Sequence, residues 1–315
     1  MGRPSLYVTR GDYPHMRLRR DWANRPTLRL YFLEECVSDA SSHTALFLSR
    51  RDIQRGVSQD MTEQTQTTGK LSGQVALITG ASAGIGQAIA RSFLGEGADL
   101  VVVARREERL TALAEEAQKV GRTVIPVVGD TREEETAERA VSEALERLGR
   151  LDILVNNVGI GIYKRIEETS LADYDAMMTT NMRSTFVFTR HVVPAMLRRG
   201  SGMIINVASM AGVMGFPGEA VYCSTKFAQV GFTQALDREL RPKGIKVGVL
   251  CPGGVKTEFA IGTGRTEESV AESDMLEAED VAAAALLMAT QRSGARIMEI
   301  RMRPMVEPLA GRDLE

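Results

Sequence analysis

Three cysteines, three histidines and one tryptophan in 315 residues leave little material for several common kinds of site. Cys36, Cys223 and Cys251 form no CxxC pair and no even set, which excludes a disulfide framework and suits a reducing, cytoplasmic compartment. His15, His43 and His191 lack metal-ligand spacing, so no metal site is expected. A formal net charge of -2 gives no electrostatic reason to expect nucleic acid or an anionic membrane as partner. The longest apolar run, 281–289, is half of the roughly 18 residues a membrane span needs. What is present is ordinary for a globular protein: 43% hydrophobic and 25% charged residues, with length enough for one large domain or two smaller ones.

Composition changes near residue 61. Residues 1–60 hold ten arginines, no lysine and seven acidic residues, without a sustained helical or strand period. They lack the apolar core of a secretory signal, and the acidic residues argue against an organelle transit peptide. The reading adopted is a poorly structured extension over 1–70, with Met61 as the natural start and a catalytic domain over 71–315. Deleting residues 1–60 is then expected to leave solubility and turnover unchanged; a truncated protein that is insoluble or inactive would overturn this.

From Gln74 onward, short apolar runs alternate with amphipathic stretches. Strands are expected at 75–79, 99–104, 123–128, 151–156, 202–208, 246–251 and near 296–301. Helices are expected at 87–94, 106–120, 133–148, 173–199 (preceded by a shorter one), 219–241 and 278–291. This rhythm predicts a single α/β domain, a doubly wound Rossmann fold with a seven-stranded, mostly parallel sheet flanked by helices.

The first strand runs into Thr79-Gly80-Ala81-Ser82-Ala83-Gly84-Ile85-Gly86 and then a helix. Gly80 allows the tight turn, Gly84 lets backbone approach a pyrophosphate, and Gly86 permits close helix–strand packing. The free N–H groups of the following helix suit phosphate, so this turn is read as a dinucleotide site. An NAD site usually carries Asp or Glu at the end of the second strand; this chain has Arg105-Arg106 there. A guanidinium pairs with a 2′-phosphate, so NADP(H) is favoured over NAD(H), with Arg105 preferred over Arg106. The plainer alternative makes both arginines the solvated start of a helix. After the third strand, Asp130 is read as an adenine contact or a helix cap, beside Thr131. Asn156-Asn157-Val158-Gly159 ends the fourth strand, at the crevice where open α/β sheets bind ligands.

Tyr222 and Lys226, four apart, share a helical face, where an ammonium can lower a phenol's pKa from about 10. Such a phenol can hand a proton to a carbonyl oxygen. Ser209 lies thirteen positions upstream of Tyr222. Cys223 adjoins the tyrosine and is read as a reactive thiol or an inert buried one.

Taken together, Gly80-x-x-x-Gly84-x-Gly86, Asn156-Asn157-Val158-Gly159, Asn181, Ser209, Tyr222-x-x-x-Lys226 and Pro252-Gly253-Gly254-Val255-Lys256-Thr257 resemble the short-chain dehydrogenase/reductase family in order and spacing. The likeness covers about 71–303; Val158 departs from a common alanine. The resemblance implies a catalytic tetrad of Asn181, Ser209, Tyr222 and Lys226. Tyr222 would be the general acid or base and Ser209 would steady the substrate oxygen. Lys226 would hold the nicotinamide ribose and lower the phenol's pKa, with a water on Asn181 linking it to solvent. Pro252, Gly253, Val255 and Thr257 would contact the nicotinamide end, Ser82, Ala83 and Ile85 the phosphates. The family acts on CH–OH groups, so the expected partner is a small carbonyl or alcohol substrate. A catalytically silent, cofactor-sensing protein is the alternative, and an epimerase or dehydratase is disfavoured. A homodimer or homotetramer is implied, through the two long helices carrying Phe186, Phe188, Val192, Phe227, Val230 and Phe232; a core face would also explain these residues.

Residues 259–275 are expected to form a mobile lid that sets specificity. Its acidic residues Glu267, Glu268, Glu272 and Asp274 weakly disfavour a strongly anionic substrate, or simply face water. Met210 and Phe216 are read as pocket walls or as core.

Overall fold

The computed structural model describes residues 69–306. The expectations for the extension, for Met61, and for Cys36, His15 and His43 lie outside the described residues. Seven strands, β1 (Val75–Thr79), β2 (Asp99–Ala104), β3 (Val124–Val128), β4 (Ile153–Asn156), β5 (Gly202–Val207), β6 (Ile245–Pro252) and β7 (Glu299–Met302), form one sheet in the order β3-β2-β1-β4-β5-β6-β7. Every pairing is parallel. The strand order reverses between β1 and β4, and ligand crevices in such sheets open there, beyond the carboxyl ends of the strands.

Helices cover both faces: α1 (Gly84–Gly95), α2 (Glu107–Lys119), α3 (Glu134–Arg147), α4 (Leu171–Met177), α5 (Ser184–Arg199), α6 (Ala220–Leu240), α7 (Glu267–Ala271) and α8 (Ala278–Ala289). Because strand side chains alternate, one set packs under α1, α2 and α8: Ala76, Ile78, Leu100, Val102, Ile153, Val155 and Ile205. The other set, Val75, Leu77, Val101, Val103, Leu154 and Ile204, packs under α3, α5 and α6. Strands buried on both faces are apolar at nearly every position, which is why they read as runs rather than alternations; the buried exceptions Asn156 and Asn206 hydrogen-bond each other and Thr189 and Thr233. The apolar stretch 281–289 is accounted for by α8, whose Val281, Ala282, Ala285 and Met288 are buried. No described helix is long and apolar enough to cross a membrane.

The predicted helix 173–199 and its shorter predecessor are one continuous rod with a π-helical turn at Met178–Arg183 between α4 and α5. That turn carries Asn181, and such single-turn irregularities re-aim side chains at functional positions. The predicted oligomer face divides. Phe188, Val192 and Val230 are buried in the core and Phe232 packs against it, whereas Phe186 and Phe227 are half exposed.

Candidate active site

The site lies along the carboxyl edge of the sheet. At β1, Gly80 (φ 69°) and Gly84 (φ 53°) adopt left-handed backbone that side chains disfavour. A Cβ on Gly86 would lie 2.3 Å from the Gly80 carbonyl oxygen and 2.5 Å from Asn157 Nδ2, so helix, turn and β4 meet too closely for any other residue. The Asn157 amide donates to the Thr79 and Gly80 carbonyls, each at 3.3 Å, and its backbone N–H donates to Thr79 Oγ1. Val158 packs on Gly80, and Gly159 lies under Lys226 Nζ and Asn181. Ala83 opens α1 with no side-chain cap. The first N–H groups of the helix are therefore left for a ligand, as a pyrophosphate requires. The residues fit a dinucleotide.

At β2, Arg106 stands before α2 and donates through Nε and Nη2 to Ser82 Oγ, at 3.2 and 3.0 Å. Arg105 is exposed beside Asp130, whose carboxyl it helps to hold low. The main cause of that lowering is Arg132, which donates to Asp130 from backbone and side chain. Asp130 is not the cap of α3, since Glu133 occupies that position. Thr131 is buried, with its hydroxyl on Ser184 Oγ at 3.1 Å.

The four tetrad positions converge. Tyr222 is 5% exposed, with Ser209 close enough to its phenol to favour the ionised form. Ser209 Oγ accepts from the Ala211 backbone N–H at 3.1 Å. The Tyr222 ring meets Tyr163 edge-on at 5.6 Å and Phe259 at 5.8 Å. Burial, reinforced by Tyr163 and Glu219, raises the phenol's pKa well above the ordinary value, while Ser209 and Arg265 pull against it. This corrects the expectation that Lys226 lowers that pKa. Lys226 Nζ lies 5.7 Å from the ring centroid, and burial pushes the lysine itself down to about 8.

Lys226 is held by a residue the sequence reading missed. Its ammonium donates to Gln229 Oε1 at 2.8 Å and to the Val207 carbonyl at 3.3 Å. Gln229 Nε2 in turn donates to the Asn181 carbonyl at 3.0 Å and to Thr185 Oγ1 at 2.7 Å. A buried glutamine amide thus joins Lys226 to the Asn181 backbone carbonyl. Asn181 is fully buried; its side chain ties the loop after β4 by donating to the Ile160 carbonyl and accepting the Ile160 N–H, and reaches Thr225 as well. The signal for Gln229 was its place three residues after Lys226, on the same helical face.

Beyond β6, Gly253 donates its N–H to the Met302 carbonyl, and Val255 bridges Leu276. Thr257 packs on the glycine-rich turn, 2.9 Å from where a Gly84 Cβ would stand. The expected lid contains α7, capped by Thr266, and is pinned to the loop after β4 through Thr263 Oγ1 and the Gly161 carbonyl at 2.6 Å. Its acids Glu267, Glu268, Glu272 and Asp274 are exposed. Phe216 packs against the Tyr222 cluster, as a pocket wall would, whereas Met210 belongs to the core with Val249 and Cys251. Cys223 is buried and its thiol is raised by burial, which suits an inert residue. Among the described residues, no group of three or more His, Cys, Asp or Glu could hold a metal.

The family model for short chain dehydrogenases matches residues 74–268. An "uncharacterized oxidoreductase" of Staphylococcus epidermidis is 33% identical over 236 residues, 75% of this chain and 99% of that protein. A 3-oxoacyl-[acyl-carrier-protein] reductase of Thermotoga maritima is 34% identical, over 60% of this chain and 76% of that protein. A solved structure of serine dehydrogenase in its closed form, complexed with NADP+, superposes with a TM-score of 0.71 at 30% identity, covering 77% of this chain and 99% of that one. This chain belongs to the short-chain dehydrogenase family and is an oxidoreductase.

Proposed function

We propose that the protein interconverts a ketone or aldehyde and the matching alcohol with NADP(H), Tyr222 being the proton donor in reduction and the acceptor in oxidation. One observation carries this reading. The Tyr222 phenol, close to Ser209 and Lys226, lies on the same edge of the sheet as the glycine-rich turn. When bound, the reduced nicotinamide supplies the hydride. Ser209 orients the carbonyl oxygen and stabilises the charge that grows there, and Tyr222 gives it a proton. A silent sensor would have no use for a buried phenol set beside Ser209 and Lys226. The half-exposed Phe186 and Phe227 on α5 and α6 support a homodimer or homotetramer. The test is NADPH oxidation over a panel of ketones, aldehydes and acyl thioesters, with NADH in parallel. Turnover of none of them would sink the reading.

For the 2′-phosphate, the geometry favours Arg106 over Arg105, because Arg106 already reaches the turn through Ser82. Arg106 and Arg109 each pair with Glu258 at 2.7 Å, so a carboxylate from the start of the lid sits where an anion would bind. A phosphate arriving at these guanidinium groups competes with that carboxylate. Glu258→Gln should therefore tighten 2′,5′-ADP about threefold to tenfold and leave 5′-AMP unchanged, as expected for the loss of two exposed pairs. Calorimetric titration of both nucleotides measures this. Equal effects on the two would remove Glu258 and the arginines from the phosphate site.

A further inference from the structure

The side chains packed around Tyr222 include Tyr163, Phe216, Phe259, Ile160 and Ile162. An apolar enclosure of this kind would suit a neutral ketone, but one charge intrudes on it. The Arg265 guanidinium lies 5.8 Å from the centroid of the Phe259 ring, and that ring leans on Tyr222. Its positive field reaches the phenol and opposes the effect of burial.

Arg265 is not spoken for by an acid. Its Nη1 donates to the Val255 carbonyl at 3.5 Å, a long single bond. Among the described residues no carboxylate forms an ion pair with it. Glu258 is held by Arg106 and Arg109, and Glu277 by Lys256. The acids of α7 and the segment after it face solvent, so they do not set the sign of charge in the pocket. Glu219, three residues before Tyr222, is the acidic group whose field reaches the phenol, and it has a hydrogen-bonding or charge partner of its own. A guanidinium offers five N–H donors in a planar fork that matches a carboxylate. The cation–π contact with Phe259 holds the guanidinium beside the Tyr222 cluster.

We propose that Arg265 binds the anionic end of the substrate, which makes the substrate a short oxo acid or the corresponding hydroxy acid. This rests on the reading of Tyr222 as proton donor. In reduction, the carbonyl carbon takes a hydride from the reduced nicotinamide cofactor and the oxygen takes the Tyr222 proton. The C=O π bond is lost, the alcohol forms, and the cofactor leaves oxidised. The carboxylate stays on Arg265 throughout and supplies binding and orientation.

The experiment uses the full chain with NADPH and three acids, 2-oxobutanoate, acetoacetate and 4-oxopentanoate, each beside its methyl ester. For at least one pair, the acid should exceed its ester in kcat/KM by about tenfold or more. Arg265→Gln should lower that acid-to-ester ratio about thirtyfold, mainly through KM, and Arg265→Lys should recover part of it, as loss of a charged hydrogen-bonded pair predicts. Esters preferred over acids, or a variant that lowers both alike, would overturn the proposal. If no pair is turned over, the acids are titrated calorimetrically into the protein–NADPH complex and into the same complex of Arg265→Gln. Binding that depends on Arg265 without turnover keeps the anchor and overturns the oxidoreductase chemistry of the pocket; no such binding overturns the anchor.

Discussion

Tyr222→Phe is expected to lower kcat for carbonyl reduction by about 10²–10⁴, the usual range for general acid–base help. NADPH should still bind with a dissociation constant within about threefold of the parent's, since uniform binding is untouched by a group acting only in the transition state. The variant is a clean test because the ring stays. Phenylalanine keeps the edge contact with Tyr163 and the contact with Phe259, and Ser209 retains its bond from the Ala211 N–H. Loss of the hydroxyl alone should change stability by no more than about 1 kcal/mol, the net worth of a single hydrogen bond. Burial raises the phenol's pKa, so it stays protonated through neutral pH. Reduction should then be nearly flat with pH across the neutral range, while alcohol oxidation, which needs the deprotonated phenol, should climb as pH rises. Stopped-flow turnover in both directions, with cofactor affinity from NADPH fluorescence, measures all of this. A phenylalanine enzyme with unchanged turnover would end the mechanism.

The fold was legible because its signals are local. β1 and β2 lie at the residues their apolar runs marked, since strands buried on both faces are almost wholly apolar. Boundaries moved where the chain's ends are set by turns; β7 begins at Glu299, three residues after the run was expected to start. The π turn at Met178–Arg183 left no trace in composition or spacing, because it changes the hydrogen-bond step without changing which side chains are apolar.

The site was legible where a motif fixes backbone and opaque where side chains choose partners across the fold. Gly80, Gly84 and Gly86 were readable because only glycine fits their conformation or contacts. Sequence preferred Arg105 to Arg106 for the phosphate; it is Arg106 that reaches Ser82, 24 residues away. Asp130 was open between cap and ligand contact until Arg132, two residues on, took its carboxylate. Arg265 lies in an acidic stretch whose charges turn to solvent, and no pattern in that stretch marks it as the residue that meets the Phe259 ring beside Tyr222. The pair Tyr222 and Lys226 was found by helical spacing, but spacing does not report burial, so the direction of the phenol's pKa came out wrong.

Burial also fixes the second large effect. Lys226→Met should lower kcat/KM about 10²–10³, the scale for removing one preorganised donor from a reaction centre, yet it should stabilise the fold near neutral pH. Lys226 is 3% exposed, and its pKa falls from 10.5 in the unfolded chain to about 8 on folding. Between those two values the unfolded chain binds more protons at this residue than the folded one, so the lysine's contribution to stability rises with pH. The full rise is on the order of 3 kcal/mol, and below pH 8 the whole penalty is felt. Methionine carries no such penalty, though it leaves Gln229 Oε1 without the ammonium it accepts from. The variant's advantage over the parent should therefore be largest at pH 7 and shrink steadily toward pH 10. Cys251 works in the opposite sense. Its thiol is raised by burial from 9 to about 11, so stability is lost across that window as pH rises. The two groups also act on each other, the ammonium lowering the thiol and the thiolate raising the lysine, so the loss is somewhat larger in the variant and the difference between the proteins reports the coupled pair. Urea midpoints of both proteins at pH 7, 8.5 and 10 give the comparison. A gap that does not change with pH would mean that Lys226 keeps its proton equally well folded and unfolded, and that the pocket is wetter than its hydrogen bonds imply.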